Sequence, residues 1–143
     1  MSPAWNFGFR TLYATLALLD PLIRAWWSRA GMGNVVELVA PGRRTGRTRS
    51  VMVGLLHAGG RQYLGHPNGP VAWTHNVEAA GGGELEVHGV GRIPFRVTRL
   101  EPGPEREAAI RATWQHPFPG NVIYRLARRH ILAVGVYYRV EPT

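Results

Sequence analysis

The sequence predicts an α+β fold in which helices surround an antiparallel sheet or small barrel. Short segments that alternate apolar and polar residues predict strands, and glycine-rich turns join them as hairpins. A doubly wound parallel sheet is disfavoured, because its strands would need helical crossovers between them. With 143 residues and no internal repeat or linker, the chain is expected to form one domain, 1–143.

The first 30 residues are expected to form an amphipathic helical segment, ahead of a barrel over 34–141. Their apolar residues recur at steps of three to five, with arginines among them. The pair Asp20-Pro21 predicts the start of a second helix, since proline suits a first helical turn. Further on, we expect strands at 35–39, 49–57, 61–65, 84–88, 92–100 and 131–140, and helices at 71–80, 104–116 and 121–129.

Composition excludes several classes of protein. Apolar residues make up 45% of the chain and charged residues 18%, so a packed core is expected. The absence of cysteine excludes disulfides and a cysteine nucleophile, and the six histidines lack zinc-site spacing, so no metal is expected. No apolar run reaches the roughly 18 residues of a spanning helix. We therefore expect a cytoplasmic address.

Charge points to an anionic partner. Seventeen basic residues, all arginine, face nine acidic ones, giving +8. The absence of lysine removes Schiff-base chemistry. Guanidinium groups stay charged and present several donors, which favours phosphate, carboxylate or anionic lipid.

The densest arginine cluster lies in the segment 41–50, Pro-Gly-Arg-Arg-Thr-Gly-Arg-Thr-Arg-Ser, between two predicted strands. A glycine-permissive turn exposes backbone N–H groups, and guanidinium groups beside them bind phosphate in a bidentate manner. A solvated basic hairpin would show the same pattern. The residues alone leave both interpretations open.

A second motif, Trp73-x-x-Asn76, lies in the helix predicted at 71–80. Residues three apart share one face of a helix, so the indole and the carboxamide can hold a polar ligand against an aromatic wall. The alternative is that Trp73 belongs to the core and Asn76 satisfies a loop carbonyl.

Together, the Gly-Arg-Arg-Thr-Gly turn, the glycine hairpin that follows and the Trp73-x-x-Asn76 helix resemble the deazaflavin-dependent nitroreductase family. The resemblance covers about residues 35–140. Members are split β-barrel proteins that use coenzyme F420, so the resemblance implies an antiparallel split β-barrel with peripheral helices. The loop 66–70 is several residues shorter than in well-known members, which indicates a divergent subgroup.

The resemblance also implies a function and a set of site residues. It implies hydride transfer from the reduced deazaflavin to an activated alkene, a quinone or a nitro compound, with FMN the less favoured cofactor. Tyr124 is the candidate proton donor with His66 behind it, although Tyr124 fits a core tyrosine equally well. The implied cofactor-binding residues are Arg43, Arg44, Thr45, Gly46, Arg49, Ser50, Val51, Met52, Trp73 and Asn76.

Two other classes of function stay open. A non-catalytic split barrel would bind a lipid, a fatty acid or another hydrophobic anion. The helical segment 1–30 carries Trp5, Trp26, Trp27 and three arginines, which fits peripheral membrane contact. The other class is nucleic-acid binding through the basic hairpin 43–49; no reading motif is present there, so no specific nucleic acid is expected. We expect a small-molecule substrate and a monomer or weak homodimer.

Overall fold

The computed structural model describes residues 2–31, 34–116 and 118–143. Within these ranges, six α-helices surround one seven-stranded sheet. The helices are α1 (Pro3–Leu18), α2 (Asp20–Ala30), α3 (Ala72–Ala80), α4 (Pro104–Ala112), α5 (Gly120–Leu126) and α6 (Arg128–Val134). The strands are β1 (Val35–Pro41), β2 (Thr48–Gly54), β3 (Leu56–Ala58), β4 (Arg61–His66), β5 (Gly82–Val87), β6 (Gly91–Arg99) and β7 (Val136–Pro142).

The sheet is antiparallel throughout and curls into a half-barrel with the strand order β2-β1-β5-β6-β7-β4-β3. The predicted α+β class is therefore confirmed. Gly59 and Gly60, which join β3 to β4, both have positive φ angles of 56° and 76°, as a tight hairpin turn requires. The predicted restart of the N-terminal helix is also confirmed, because α1 ends at Leu18 and α2 begins at Asp20.

The single strand predicted at 49–57 is wrong. The chain forms β2 and β3 instead, and these pair with β1 and β4 at opposite edges of the sheet. A Cβ atom at Gly54, the last residue of β2, would lie 2.6 Å from the His116 ring, so a larger residue here requires that ring to move. Leu55 follows as a buried residue whose N–H donates to the carbonyl of Asn34. This bend carries the chain across the open side of the half-barrel.

The C-terminal segment also differs from prediction. The helix expected at 121–129 is two helices, α5 and α6, and the strand expected from residue 131 begins only at Val136. Ile131 is fully buried within α6, so an apolar run that resembles a strand is helical because of what it packs against. The buried Arg106 ends this helix by donating to the carbonyls of Leu132 and Gly135, at 3.0 and 2.8 Å.

Two apolar clusters hold the elements together. The first lies between the sheet and α3 and includes Leu38, Leu64, Val77 and Tyr138, each at most 1% exposed. The second joins α1, α4 and α6 to the other side of the sheet, and its residues include Phe9, Leu56, Tyr63, Ala109, Ile110, Ile131 and Tyr137. The N-terminal helix is thus attached to the barrel through Phe9, which is 1% exposed.

We expect the substitution Gly65→Ala to destabilise the fold by about 1–3 kcal/mol or more. Gly65 pairs with Tyr137 across β4 and β7, and a Cβ atom there would lie 2.1 Å from the Tyr137 ring. Urea denaturation measures the effect. Gly8→Ala is the matched control: nothing lies within 4 Å of its added methyl, so we expect no loss. Equal midpoints for the two variants would contradict the packing described here.

Candidate functional site

A cleft of about 550 Å³ opens between α3 and the hairpin formed by β1 and β2. Its walls come from both strands, from the turn between them and from the first part of the helix. The lining residues are Leu38, Ala40, Gly42, Arg43, Arg44, Thr45, Arg49, Ser50, Val51, Val71, Ala72, Trp73 and Asn76. Cationic, hydroxyl-bearing and aromatic groups thus share one cavity.

The arginine turn, residues 42–47, is ordered by its own hydrogen bonds. The N–H of Gly42 donates to the Arg47 carbonyl and the N–H of Gly46 donates to the Gly42 carbonyl, both at 2.8 Å. The N–H of Arg47 donates to Thr45 Oγ1 at 3.2 Å. Gly46 has φ 71°, a conformation that glycine adopts without strain. Several of the N–H groups expected to be exposed are therefore satisfied within the protein, so anion binding here depends on the guanidinium groups.

Asn76 connects this turn to α3. Its Oδ1 accepts hydrogen bonds from the backbone N–H of Arg43 at 3.1 Å and from the Arg43 guanidinium at 3.3 Å. Asn76 is only 8% exposed, so the contact lies in a partly dry environment in which an unmade hydrogen bond is costly. One carboxamide thereby holds both the backbone and the side chain of Arg43.

The helix that carries Asn76 is itself fixed by buried polar contacts. Thr74 Oγ1 accepts from the N–H of Val71 and donates to its carbonyl, at 2.9 and 2.8 Å, which closes the helix N-terminus. Beneath the helix, the Trp73 ring lies 6.2 Å from the ring of Tyr138, whose hydroxyl donates to Glu78 at 2.7 Å. Trp73 and Asn76 therefore face the cleft from a rigid helix.

The cleft is strongly positive. In the parts of the chain that the structure describes, no carboxylate lies within salt-bridge distance of the turn's arginines or Arg49. None of the lining residues is acidic. Uncompensated guanidinium groups beside an apolar wall attract an anion, and bidentate contacts make phosphate or carboxylate the best match.

The structure brings together eight of the residues that the sequence singled out: Arg43, Arg44, Thr45, Arg49, Ser50, Val51, Trp73 and Asn76. Gly46 shapes the turn without lining the cleft. Met52 is not among the residues that line the cleft. Met52 pairs with Glu37, whose carboxylate is bound by Arg24 of α2, so this position lies on the α2 side of the strand.

The two candidate catalytic residues lie outside the cleft. The Tyr124 hydroxyl is 2.6 Å from the Tyr13 hydroxyl, and burial raises the pKa of Tyr124 well above its usual value. The centroid of the His66 ring lies 4.7 Å from that of the Tyr13 ring in a tilted contact, and its Nδ1 accepts from the N–H of Asn68. Both side chains belong to the region around the second apolar cluster, where α1 packs on the barrel. Neither residue is among those that line the cleft.

Several lining residues were absent from the sequence-based prediction. Leu38 and Ala40 form the floor of the cleft from β1, and Val71 and Ala72 contribute at the start of α3. The signal for Leu38 and Ala40 is their alternation along the strand, which puts them on one face opposite Val51 and Arg49. Their role follows from pairing with β2, which the sequence does not show directly.

The curled antiparallel sheet and its peripheral helices define a split β-barrel fold. The chain is similar to an F420-H2-dependent reductase, with 18% identity and a TM-score of 0.52, over 76% of this chain and 94% of the other. It is also similar to the haem storage protein HutZ from Vibrio cholerae, with 13% identity and a TM-score of 0.56, over 87% of this chain and 90% of the other.

A third similar structure is ChuZ from Campylobacter jejuni, with 11% identity and a TM-score of 0.59, over 89% of this chain and 54% of the other. At these identities the similarities show the fold alone. No protein-family model matches the sequence. No curated protein matches it either.

We expect stability to fall as the pH is lowered from about 6.5 to 4, in part because of His66. Burial lowers the pKa of His66 from 6.5 to about 4, so the unfolded chain binds a proton in this range that the folded chain does not. The stability contributed by neutral His66 is full above about pH 6.5 and is lost as the pH falls through this window. Up to ~3 kcal/mol of the change should disappear in His66→Gln.

Urea denaturation between pH 4 and 8 measures this dependence. Part of the pH dependence of the free energy of unfolding will remain in His66→Gln, because burial also lowers the pKa of His116 and His130. The matched control is His75→Gln, an exposed position on α3, which should keep the wild-type slope. If the stability of His66→Gln falls with pH as steeply as that of the control, the contribution assigned to buried His66 is contradicted.

Proposed function

We propose that the chain is an oxidoreductase that binds the reduced deazaflavin coenzyme F420 in this cleft and reduces an electron-poor small molecule. The observation that carries the proposal is the composition of one cavity: Arg43, Arg44 and Arg49 lack carboxylate partners and share it with an apolar and aromatic wall. The split β-barrel fold, which an F420-H2-dependent reductase also has, supports it.

The residues present fit such a coenzyme. Its anionic phosphate and oligoglutamate tail match the uncompensated guanidinium groups of the turn. Its flat ring matches the wall formed by Leu38, Val51 and Trp73. The cleft volume of about 550 Å³ is in the range of small-molecule sites, which run from about 300 to 1,000 Å³.

When bound, the deazaflavin supplies a hydride from C5, and the acceptor class is an activated alkene, a quinone or a nitro compound. The protein's own contribution is binding and orientation. Arg43, Arg44 and Arg49 hold the anionic part, and the apolar wall excludes water from one side of the ring. Within the described part of the chain, the lining includes neither a carboxylate nor an imidazole, so a proton required by the acceptor comes from water.

A second candidate function is non-catalytic binding of a fatty acid, a lipid or another hydrophobic anion. The observation that favours it is the placement of Tyr124 and His66 outside the cleft, which leaves the cavity suited to binding without an acid or base. The same arginines would hold the anionic group and the same wall the apolar part. The fold is also that of the haem storage protein HutZ.

Titration of the purified chain with oxidised coenzyme F420, FMN, oleate and haemin separates these functions. We expect coenzyme F420 to bind most tightly, and Arg44→Ala and Arg49→Ala each to weaken it about ten- to a hundredfold, because each removes a charge-assisted contact of ~1.5–3 kcal/mol. Arg111→Ala, an exposed arginine on α4, is the control and should leave the affinity unchanged.

The outcomes are distinct. Tight binding of the deazaflavin that depends on both cleft arginines, followed by oxidation of the reduced coenzyme with an added quinone or nitro compound, supports the oxidoreductase. If oleate or haemin binds with the same dependence on the arginines and the deazaflavin does not bind, the second function, non-catalytic binding of a hydrophobic anion, is supported instead. If Arg111→Ala loses as much ligand affinity as the cleft variants, both candidate functions are contradicted, since the loss would then reflect net charge alone.

Asn76 is expected to act on ligand binding through Arg43. Because its Oδ1 accepts from both the backbone and the guanidinium of Arg43, Asn76→Ala should weaken coenzyme binding about tenfold. In the Arg43→Ala background only the backbone contact remains, so Asn76→Ala should weaken binding there by less than it does in the wild type. Combination with Arg49→Ala, which has no contact with Asn76, should instead multiply the two losses. Multiplied losses in both pairs would show that Asn76 contacts the ligand itself.

A further inference from the structure

We propose that the corner formed by α1 and α2 docks on the surface of an anionic lipid bilayer. Four large apolar side chains, here called the apolar ridge, project from this corner into solvent. Their exposed fractions are 84% for Leu18, 43% for Leu19, 69% for Leu22 and 63% for Trp26. Monomeric proteins rarely leave a continuous apolar surface of this kind uncovered unless it meets a partner or a membrane.

The ridge is held in place by the opposite face of α2, which packs on the sheet. Trp27 is 8% exposed, and its Nε1–H donates to the Val35 carbonyl at 2.9 Å. Arg24 forms ion pairs with Asp20 and Glu37 and donates to the Ser50 carbonyl at 3.1 Å. With one face of the helix committed in this way, Leu22 and Trp26, one turn apart, must point outward.

The chemistry of the exposed face matches a bilayer surface. Leucine and tryptophan are favoured at the boundary between headgroups and acyl chains, where the indole keeps its N–H hydrated. Arg29, also exposed, lies three residues beyond Trp26 on the same side of α2 and adds a cation beside the ridge. The one acidic residue of α2, Asp20, is neutralised by Arg24. No helix in the described ranges is long and apolar enough to span a membrane, so the contact is peripheral.

Charge selects the bilayer over a second copy of the chain. The chain carries +8, so two copies meeting at this corner would repel each other, whereas an anionic surface attracts it. Each arginine near such a surface strengthens the attraction about fivefold. Arg24 also donates to the carbonyl of Ser50, so the docked helix contacts a strand that borders the cleft.

Sedimentation of the full chain with lipid vesicles at physiological salt tests the inference. We expect binding to vesicles that contain phosphatidylglycerol and much weaker binding to phosphatidylcholine alone. The double variant Leu22→Gln/Trp26→Gln should weaken partitioning at least about tenfold, since it removes most of the apolar surface that inserts. Arg29→Gln should weaken it about fivefold.

The controls separate the ridge from other surfaces. Val90→Gln, an exposed apolar position in the turn between β5 and β6, should bind vesicles as the wild type does. Arg44→Ala/Arg49→Ala should retain the dependence on the ridge. Thermal unfolding checks that each variant is folded, which is expected because all the substituted side chains are exposed.

The inference is overturned if the wild type does not sediment with anionic vesicles, or if the ridge variant sediments as well as the wild type. Loss of vesicle binding only in Arg44→Ala/Arg49→Ala would assign it to the arginine turn instead. A dimer in solution that depends on the ridge, without vesicle binding, would make a second copy the occupant. Coenzyme titration without vesicles tests the proposed function separately, so either proposal can fail alone.

Discussion

The contact between Asn76 and Arg43 is the constraint on which the cleft depends. A single buried oxygen accepts from the backbone and from the guanidinium of one turn residue, at 3.1 and 3.3 Å. Because Asn76 belongs to a helix fixed by Thr74 and Tyr138, the turn is positioned by the core rather than by solvent. A turn without this contact would be the solvated basic hairpin that the sequence equally allowed. The contact turns a charged segment into one wall of a cavity.

The distribution of acidic residues has a matching effect on charge. Glu105 accepts from Arg61 and Arg139, and Glu78 pairs with Arg99, all away from the cleft. Exposed pairs of this kind contribute little to stability. These ion pairs matter for where charge remains. They neutralise arginines outside the cleft and leave the arginines of the turn uncompensated. The arginines of the turn therefore keep their charge beside the cleft, where an anion can use it.

Local sequence predicts those parts of the fold that depend on local chemistry. Hairpins with paired glycines, a helix restarted at Asp20-Pro21 and a helix carrying Trp73 and Asn76 on one face all follow from propensity and periodicity. The two wrong elements depend on distant contacts. The break after Gly54 reflects the pairing of β2 with β1 and of β3 with β4, and Ile131 is helical because of the cluster around Phe9. Neither set of contacts is visible in the local pattern.

The same limit explains which of the predicted site residues line the cleft. The β1–β2 hairpin is used on both faces: Leu38 and Val51 face the cleft, whereas Glu37 pairs with Met52 on the side where Arg24 of α2 binds. A motif transferred along the strand names consecutive residues, and of these Arg49, Ser50 and Val51 line the cleft whereas Met52 does not. The N-terminal helices and the cleft therefore use the same hairpin: Arg24 binds Glu37 and the Ser50 carbonyl, while Leu38 and Val51 line the cavity.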